Sequence, residues 1–259
     1  LVALSGGADS SVLLAALVKA GQGPDLAAAT LASPLHPPDE LARAKRLAAK
    51  LKVEHLIIKE DPLADPDFAA NPADRCYLCK KRRLAVLARQ AGARGLEIIV
   101  DGTNFSDSLG RRPGAKALAQ AKAATPLAQA RLTKDQVLAL GRELGLSDWL
   151  KPASACLATR VAYGQSLTAE LLDRIRQAEE LVGQAICAEA GSFRVRVEGH
   201  LARIEAEPEK WPPLWEPKVR AKLVGRLKEM GFVHVSLDLA GFHSGSMDWS
   251  LERSRGDDG

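Results

Sequence analysis

Leu4-Ser5-Gly6-Gly7-Ala8-Asp9-Ser10-Ser11 separates two different hydrophobic patterns. Before it, the short apolar run from Leu1 to Leu4 suits a buried strand. After it, Val12, Leu13, Leu14, Leu17 and Val18 recur at helical spacing. A Ser/Gly-rich loop therefore joins a strand to a helix N-terminus, which is a geometry that binds anions. The first helical turn carries unpaired N–H groups and the positive end of the dipole, and two adjacent glycines let the backbone approach phosphate oxygens. Ser5, Gly6, Gly7, Ser10 and Ser11 are the candidate phosphate contacts. Asp9 would repel a bare anion, so it implies a bound Mg²⁺ or contacts within the loop.

The loop is not a Walker A loop, because G-x-x-x-x-G-K-[ST] is absent. It resembles the SGGxDS loop of the PP-loop ATP pyrophosphatases. That resemblance implies cleavage of ATP between the α and β phosphates, adenylation of a substrate and release of pyrophosphate.

Outward from the loop, strands and helices alternate. Residues 26–31 read as a second strand and 40–51 as a helix started by Pro37-Pro38. Residues 53–59 read as a third strand, 77–91 as a basic amphipathic helix and 96–100 as a fourth strand leading into Asp101-Gly102-Thr103-Asn104. Alternation of this kind predicts an α/β fold with a parallel sheet covered by helices on both faces. The resemblance makes it the PP-loop, adenine nucleotide alpha hydrolase-like sheet. Ligands bind at the carboxyl ends of such strands, where the SGG loop, Asp101, Thr103 and Asn104 fall.

Beyond about residue 165 the pattern changes. Thr168 reads as the cap of a helix over 168–182, residues 193–197 and 202–206 as strands around Gly199, 217–230 as a helix and 232–239 as a strand. The expected organisation is an ATP-binding domain over residues 1–150, a Cys-containing segment over 151–164 and a small C-terminal α+β domain over 165–247. The tail, 248–259, is expected to fray.

A chain of 259 residues with 46% apolar content can bury a core. Its net charge of +4 suits a phosphorylated substrate and is too small to argue for nucleic acid. No apolar run approaches membrane-spanning length and no signal peptide is visible. The expected location is the cytoplasm, with no membrane partner and with a homo-oligomer compatible. Because Leu1 already lies within a strand, an upstream segment is expected.

Cys76 and Cys79 form a C-x-x-C pair at a helix start, where the dipole and Arg75, Lys80 and Lys81 favour thiolates. Cys156 follows in an irregular segment. Three thiolates without an obvious fourth ligand suit a [4Fe-4S] cluster with one open iron. A zinc site closed by Cys187, His36 or His55 is the alternative. Cys187 itself, in the apolar stretch 185–190, reads as a small buried residue.

SGGADSS, RCYLCKK, DGTN, RPG, TPLAQARLTK, LKPASACLATR and RVRVEGHLARIE occur in that order. Together they resemble the LarE family of ATP-dependent sulfur transferases, from Leu1 to about Met247. The resemblance implies adenylation of a carboxylate of pyridinium-3,5-biscarboxylic acid mononucleotide, a step towards the nickel-pincer nucleotide, followed by replacement of AMP with sulfur. One branch of the family sacrifices a single cysteine, in the position of Cys156, which ends as dehydroalanine. Another holds a [4Fe-4S] cluster on three cysteines, and Cys76, Cys79 and Cys156 match that branch. The implied cofactors are ATP, Mg²⁺ and the [4Fe-4S] cluster.

The resemblance implies that the adenine lies near Thr30 and Ser33; Arg112 and Lys151 are candidate cations for the α-phosphate. Arg194 and Arg196 alternate on one strand and so share a face, which suits a fork for the substrate phosphate, with Thr159 and Arg160 beside it. Two other functions use a PP-loop: a tRNA thiolase, which needs a broader basic surface, and an ammonia-using synthetase, which needs no three cysteines.

Overall fold

The structure is a computed structural model. It describes residues 1–22, 25–108, 113–151, 155–188, 191–243 and 245–249. Arg112 of the RPG motif lies outside the described residues, as does most of the tail.

In chain order the first elements are β1 (Val2–Ala3), α1 (Ala8–Lys19), β2 (Ala27–Ala32), α2 (Pro38–Leu51), β3 (Glu54–Lys59), α3 (Pro66–Ala69) and α4 (Arg75–Gly92). Then come α5 (Phe105–Ser108), α6 (Pro113–Gln120), α7 (Pro126–Gln129) and α8 (Lys134–Glu143). The last are α9 (Ala169–Ala185), β4 (Phe193–Glu198), β5 (Leu201–Ala206), α10 (Pro212–Trp215), α11 (Pro217–Glu229) and β6 (His234–Leu237). They form two compact units. One comprises Leu1–Pro62 and Asp74–Ala153, the other Leu63–Ala73 and Ser154–Gly259.

The first unit is an α/β layer structure. Its parallel sheet runs β1-β2-β3, with Val2 opposite Ala28 and Ala27 to Ala32 opposite Glu54 to Lys59. Side-chain alternation divides the core between the two faces. Val2, Leu4 and Ala28 pack with Val12, Leu13 and Leu14 of α1, Leu47 of α2 and Val137 of α8. Leu1, Ala27, Ala29 and Leu31 pack on the other face with Leu84, Leu87 and Ala91 of α4 and Leu118 of α6. Thr133 caps α8 through a reciprocal box with Gln136, which fixes where Lys134 emerges.

The expected fourth strand contracts to bridges. Val100 pairs with Val2 on one side and Ala124 on the other, without a longer ladder. Leu96 is still turning off α4, its N–H donating to the carbonyl of Ala91 at 3.0 Å, so few residues remain to run beside a short β1. The chain nevertheless delivers Asp101 beside the loop after β1, because Val100 N–H bonds the Leu1 carbonyl and Ala3 N–H the Val100 carbonyl.

In the second unit, β4 and β5 form an antiparallel hairpin and β6 adds to β5 in parallel. Phe193, Val195 and Val197 lie on one face of β4, on the side of α9, which buries Leu172, Ile175 and Ala178. Arg194 and Arg196 lie on the other, opposite Glu205 and Arg203 of β5. Cys187 departs from its expected burial. It is exposed just beyond α9, with φ of 50°.

Candidate active site

Ser10 organises the loop between β1 and α1. Its Oγ accepts from Ser5 N–H at 3.2 Å, lies 3.1 Å from Ser5 Oγ and donates to the Gly7 carbonyl at 3.2 Å. Ser11 Oγ donates to the same carbonyl at 2.8 Å. Gly6 adopts φ of +82°, and a Cβ there would lie 2.1 Å from the Glu40 carbonyl oxygen. Arg43, buried in α2, donates from Nε to the Gly6 carbonyl at 3.1 Å. The backbone is thus held from behind while its front stays open.

In front lies a cleft of about 250 Å³. Ser5, Gly7, Asp9 and Ser10 form its floor, and Asp101, Gly102 and Thr103 one side. Lys80, Arg83, Leu84 and Leu87 of α4, Ala29 and Leu31 of β2, and Asp107 also line it. Gly102 is required by close approach, since a Cβ would sit 2.8 Å from Ser10 N. Gly6, Ser11, Ser33 and Asn104 do not line this cleft. Ser33 Oγ accepts from Leu35 N–H, and Asn104 is buried in a turn with Asp107. Thr30 points away from the cleft, to the Leu4 carbonyl at 2.6 Å and His55 Nε2 at 2.8 Å. Ala29 and Leu31 face the cleft instead, as strand alternation requires.

Two of the cleft's three carboxylates, Asp9 and Asp101, are paired with lysines. Lys134 Nζ donates to the two Asp9 oxygens at 2.9 and 2.7 Å. Lys80 Nζ donates to Asp101, whose other oxygen accepts from Thr103 N–H and Oγ. Burial pushes the Asp101 pKa up, but the Lys80 charge and the hydrogen bonds from Lys80 and Thr103 outweigh it and hold the carboxyl below its usual range. Lys151 is exposed. Mg²⁺ is commonly bound by one or two carboxylates completed by substrate phosphates and water. Asp9 and Asp101 supply that oxygen set beside the open loop, so the residues fit the ion.

Cys76 and Cys79 stand in the first turns of α4, Cys76 exposed and Cys79 half-buried. Burial pushes the Cys79 thiol up; Arg83 and Arg82 pull it down, Glu60 and Cys76 push it up, and the net shift is upward. This reverses the thiolate preference expected from the helix start. Cys156 precedes the 3-10 turn Leu157–Arg160 in the second unit. Among the described residues, no three His, Cys, Asp or Glu side chains are gathered as metal ligands. His36 is half-buried, and desolvation and then Arg83 lower its pKa to about 4; the pKa of His55 is lowered by desolvation and Lys45.

The arginines of the second unit form a buried ionic layer. Arg160 holds Glu179 in a two-point contact at 2.9 and 3.1 Å and donates to the carbonyls of Ala155 and Cys156. Arg196 spends all three nitrogens, on Glu205 at 2.9 Å, the Thr159 carbonyl at 3.0 Å and Ser246 at 2.9 Å. Arg194 differs. It donates to the Phe193 carbonyl, lies 4.8 Å from the centroid of the Phe242 ring and makes no ion pair among the described residues. Desolvation, then Arg160, lowers its pKa to about 10, against the opposing pull of Glu179. Glu180 is an exposed partner of Arg176, and Trp149 is a core residue whose Nε1 donates to the Arg43 carbonyl.

A parallel sheet with a serine–glycine loop opening at its carboxyl end, with Asp9 and Asp101 and their lysine partners beside that loop, defines an ATP-using enzyme of the PP-loop class. The asparagine synthase family matches residues 1–93. An uncharacterised protein of Synechocystis sp. is 35% identical over 253 residues, covering 98% of this chain and 93% of that protein. The pyridinium-3,5-bisthiocarboxylic acid mononucleotide synthase of Lactiplantibacillus plantarum is 32% identical over 260 residues, covering 98% of this chain and 90% of the synthase. The solved NMN synthetase of Francisella tularensis is 25% identical with a TM-score of 0.47, covering 60% of this chain and 65% of that one. The chain belongs to the LarE family, that of the Lactiplantibacillus synthase, and is an ATP-dependent sulfur transferase of the PP-loop pyrophosphatase type.

Proposed function

We propose that this chain uses ATP to convert a carboxylate of pyridinium-3,5-biscarboxylic acid mononucleotide into a thiocarboxylate, in the making of the nickel-pincer nucleotide. The observation that carries the reading is the 32% identity to the synthase over 98% of the chain. The open cleft over Ser5, Gly7, Asp9 and Ser10 supports it.

In this reading residues 1–150 bind ATP. Loop N–H groups and hydroxyls take the triphosphate; Asp9 and Asp101 would hold Mg²⁺, which would supply positive charge beside the phosphates. The substrate carboxylate attacks the α-phosphorus, the bond to the β-phosphate oxygen breaks and pyrophosphate leaves. Sulfur then attacks the acyl carbon and AMP leaves. Residues 165–247 take the substrate phosphate. Arg194 is the binding cation, because Arg160 and Arg196 are committed to carboxylates and carbonyls.

Cys76, Cys79 and Cys156 carry the sulfur. Three cysteines in these positions favour a [4Fe-4S] cluster as its source, and a sacrificial Cys156 is the competing source.

The test is to identify the nucleotide products. AMP and pyrophosphate, released only when the pyridinium mononucleotide is present, support the reading. ADP and phosphate contradict it. Intact-protein mass after turnover identifies the sulfur source, since dehydroalanine at position 156 means that Cys156 is consumed.

A further inference from the structure

Two adjacent glycines let the loop approach a phosphate, and they leave the peptide between them free to turn over. The orientation of that peptide decides whether it attracts or repels an anion. It is trans, so its carbonyl and its N–H point in opposite directions. The Gly6 carbonyl points back to α2, where Arg43 Nε donates to it at 3.1 Å. The Gly7 N–H lies on the other edge and donates to Ser5 Oγ at 3.2 Å, and Ser5 and Gly7 both line the cleft. Gly7 is also the N-cap of α1 and has no side chain to cover the N–H groups of the first turn.

Arg43 is itself held in place. Its side chain is 8% exposed, Nη1 pairs with Asp39 one turn earlier in α2, and its carbonyl accepts from Trp149 Nε1 at 3.1 Å. It does not line the cleft. We propose that Arg43 is a positioning residue for phosphate binding. It fixes the Gly6 carbonyl behind the loop and thereby aims the Gly7 N–H at the nucleotide. Without it the peptide turns over readily, which puts a carbonyl oxygen where a donor should meet phosphate. The turn is easy only because glycines flank it. Half a rotation carries Gly7 from φ of −82° to about +100°, a region that glycine enters and other residues avoid. A charged donor holds a carbonyl more firmly than a neutral one. The Asp39 side chain is 69% exposed, so removing Arg43 strands no buried carboxylate.

The inference rests on the ATP-binding reading. A parent chain that binds no pyrophosphate contradicts that reading itself, whereas variants of a chain that does bind it test Arg43 alone. Pyrophosphate and adenosine are titrated calorimetrically with Mg²⁺ present. Arg43→Met should weaken pyrophosphate binding by about 10- to 100-fold and leave adenosine affinity unchanged, a split that general loosening of the fold does not produce. Arg43→Lys, which keeps a charged donor, should retain most of the affinity. The decisive comparison is a double-mutant cycle with Gly7→Ala. Alanine fits the observed Gly7 backbone, with Ser5 Oγ 3.4 Å from its Cβ, and resists the turned-over one. In that background Arg43→Met should change pyrophosphate affinity by no more than about twofold. An equal loss in both backgrounds, or unchanged affinity when Arg43→Met is made in the parent chain, overturns the inference. If Gly7→Ala by itself abolishes pyrophosphate binding, Arg43→Lys decides: retained affinity upholds the inference, and a loss as large as that of Arg43→Met overturns it. If Arg43→Met fails to bind adenosine, Arg43→Leu replaces it under the same criteria.

Discussion

Arg196 and Glu205 form a buried ion pair across β4 and β5, Nε to Oε2 at 2.9 Å, with side chains 4% and 0% exposed. Glu205 also accepts from Arg203 at 3.0 Å and from Ser246 at 2.8 Å. The pair is part of the second unit's interior, so its first effect is on stability. Glu205→Ala should strand Arg196 without its counter-charge and cost roughly 3–5 kcal/mol of folding stability. Urea unfolding measures this, and a cost of only a few tenths of a kcal/mol would contradict the structural role.

Arg194 has the opposite character. It is buried near Arg160, Arg196, Glu179 and Glu205, and makes no ion pair of its own among the described residues. Arg194→Met should raise KM for the pyridinium mononucleotide by about 10- to 100-fold, the value of a lost charge-assisted contact. ATP affinity should not change. Steady-state kinetics with the phosphorylated and dephosphorylated substrates check the assignment, because the variant should stop distinguishing them.

Asp101 predicts a pH dependence. Its folded pKa lies below the ordinary carboxylate value, because Lys80 and Thr103 outweigh the cost of burial. The unfolded state therefore holds its proton to higher pH. The resulting stabilisation is present above about pH 4 and is lost as pH falls through the lower folded pKa. Asp101→Asn should flatten the acid limb of the stability profile. Melting temperatures measured from neutral pH to about pH 3 show it, and an unchanged acid slope would remove Asp101 from the account.

Local features are legible in the sequence. The SGGADSS loop announces a strand, a turn and a helix within eleven residues, and the apolar alternation of Leu1–Leu4 and Ala27–Leu31 predicts the two core faces that are observed. Thr133 and Thr168 are readable as caps from residue type alone. What the sequence withholds is long-range. The partner of Asp9 lies 125 positions away, and no local spacing names Lys134. Alternation puts Arg194 and Arg196 on one face, but only the register with β5 reveals that Glu205 already occupies Arg196. Thr30 is a polar residue at a strand exit, and parity alone could have turned it from the cleft once Ala29 and Leu31 are seen to line it. Cys187 sits in an apolar stretch, yet α9 ends at Ala185 and the chain then adopts a positive φ at the cysteine, which leaves it exposed.

The central claim is that ATP drives exchange of oxygen for sulfur on a carboxylate. The direct measurement is the mass spectrum of the pyridinium mononucleotide after anaerobic incubation with the chain, ATP and Mg²⁺. The account predicts a product in which one carboxylate oxygen is replaced by sulfur, formed only with ATP and in step with AMP. A mononucleotide recovered unchanged while ATP is converted to AMP and pyrophosphate, or one carrying nitrogen in place of oxygen, would contradict it.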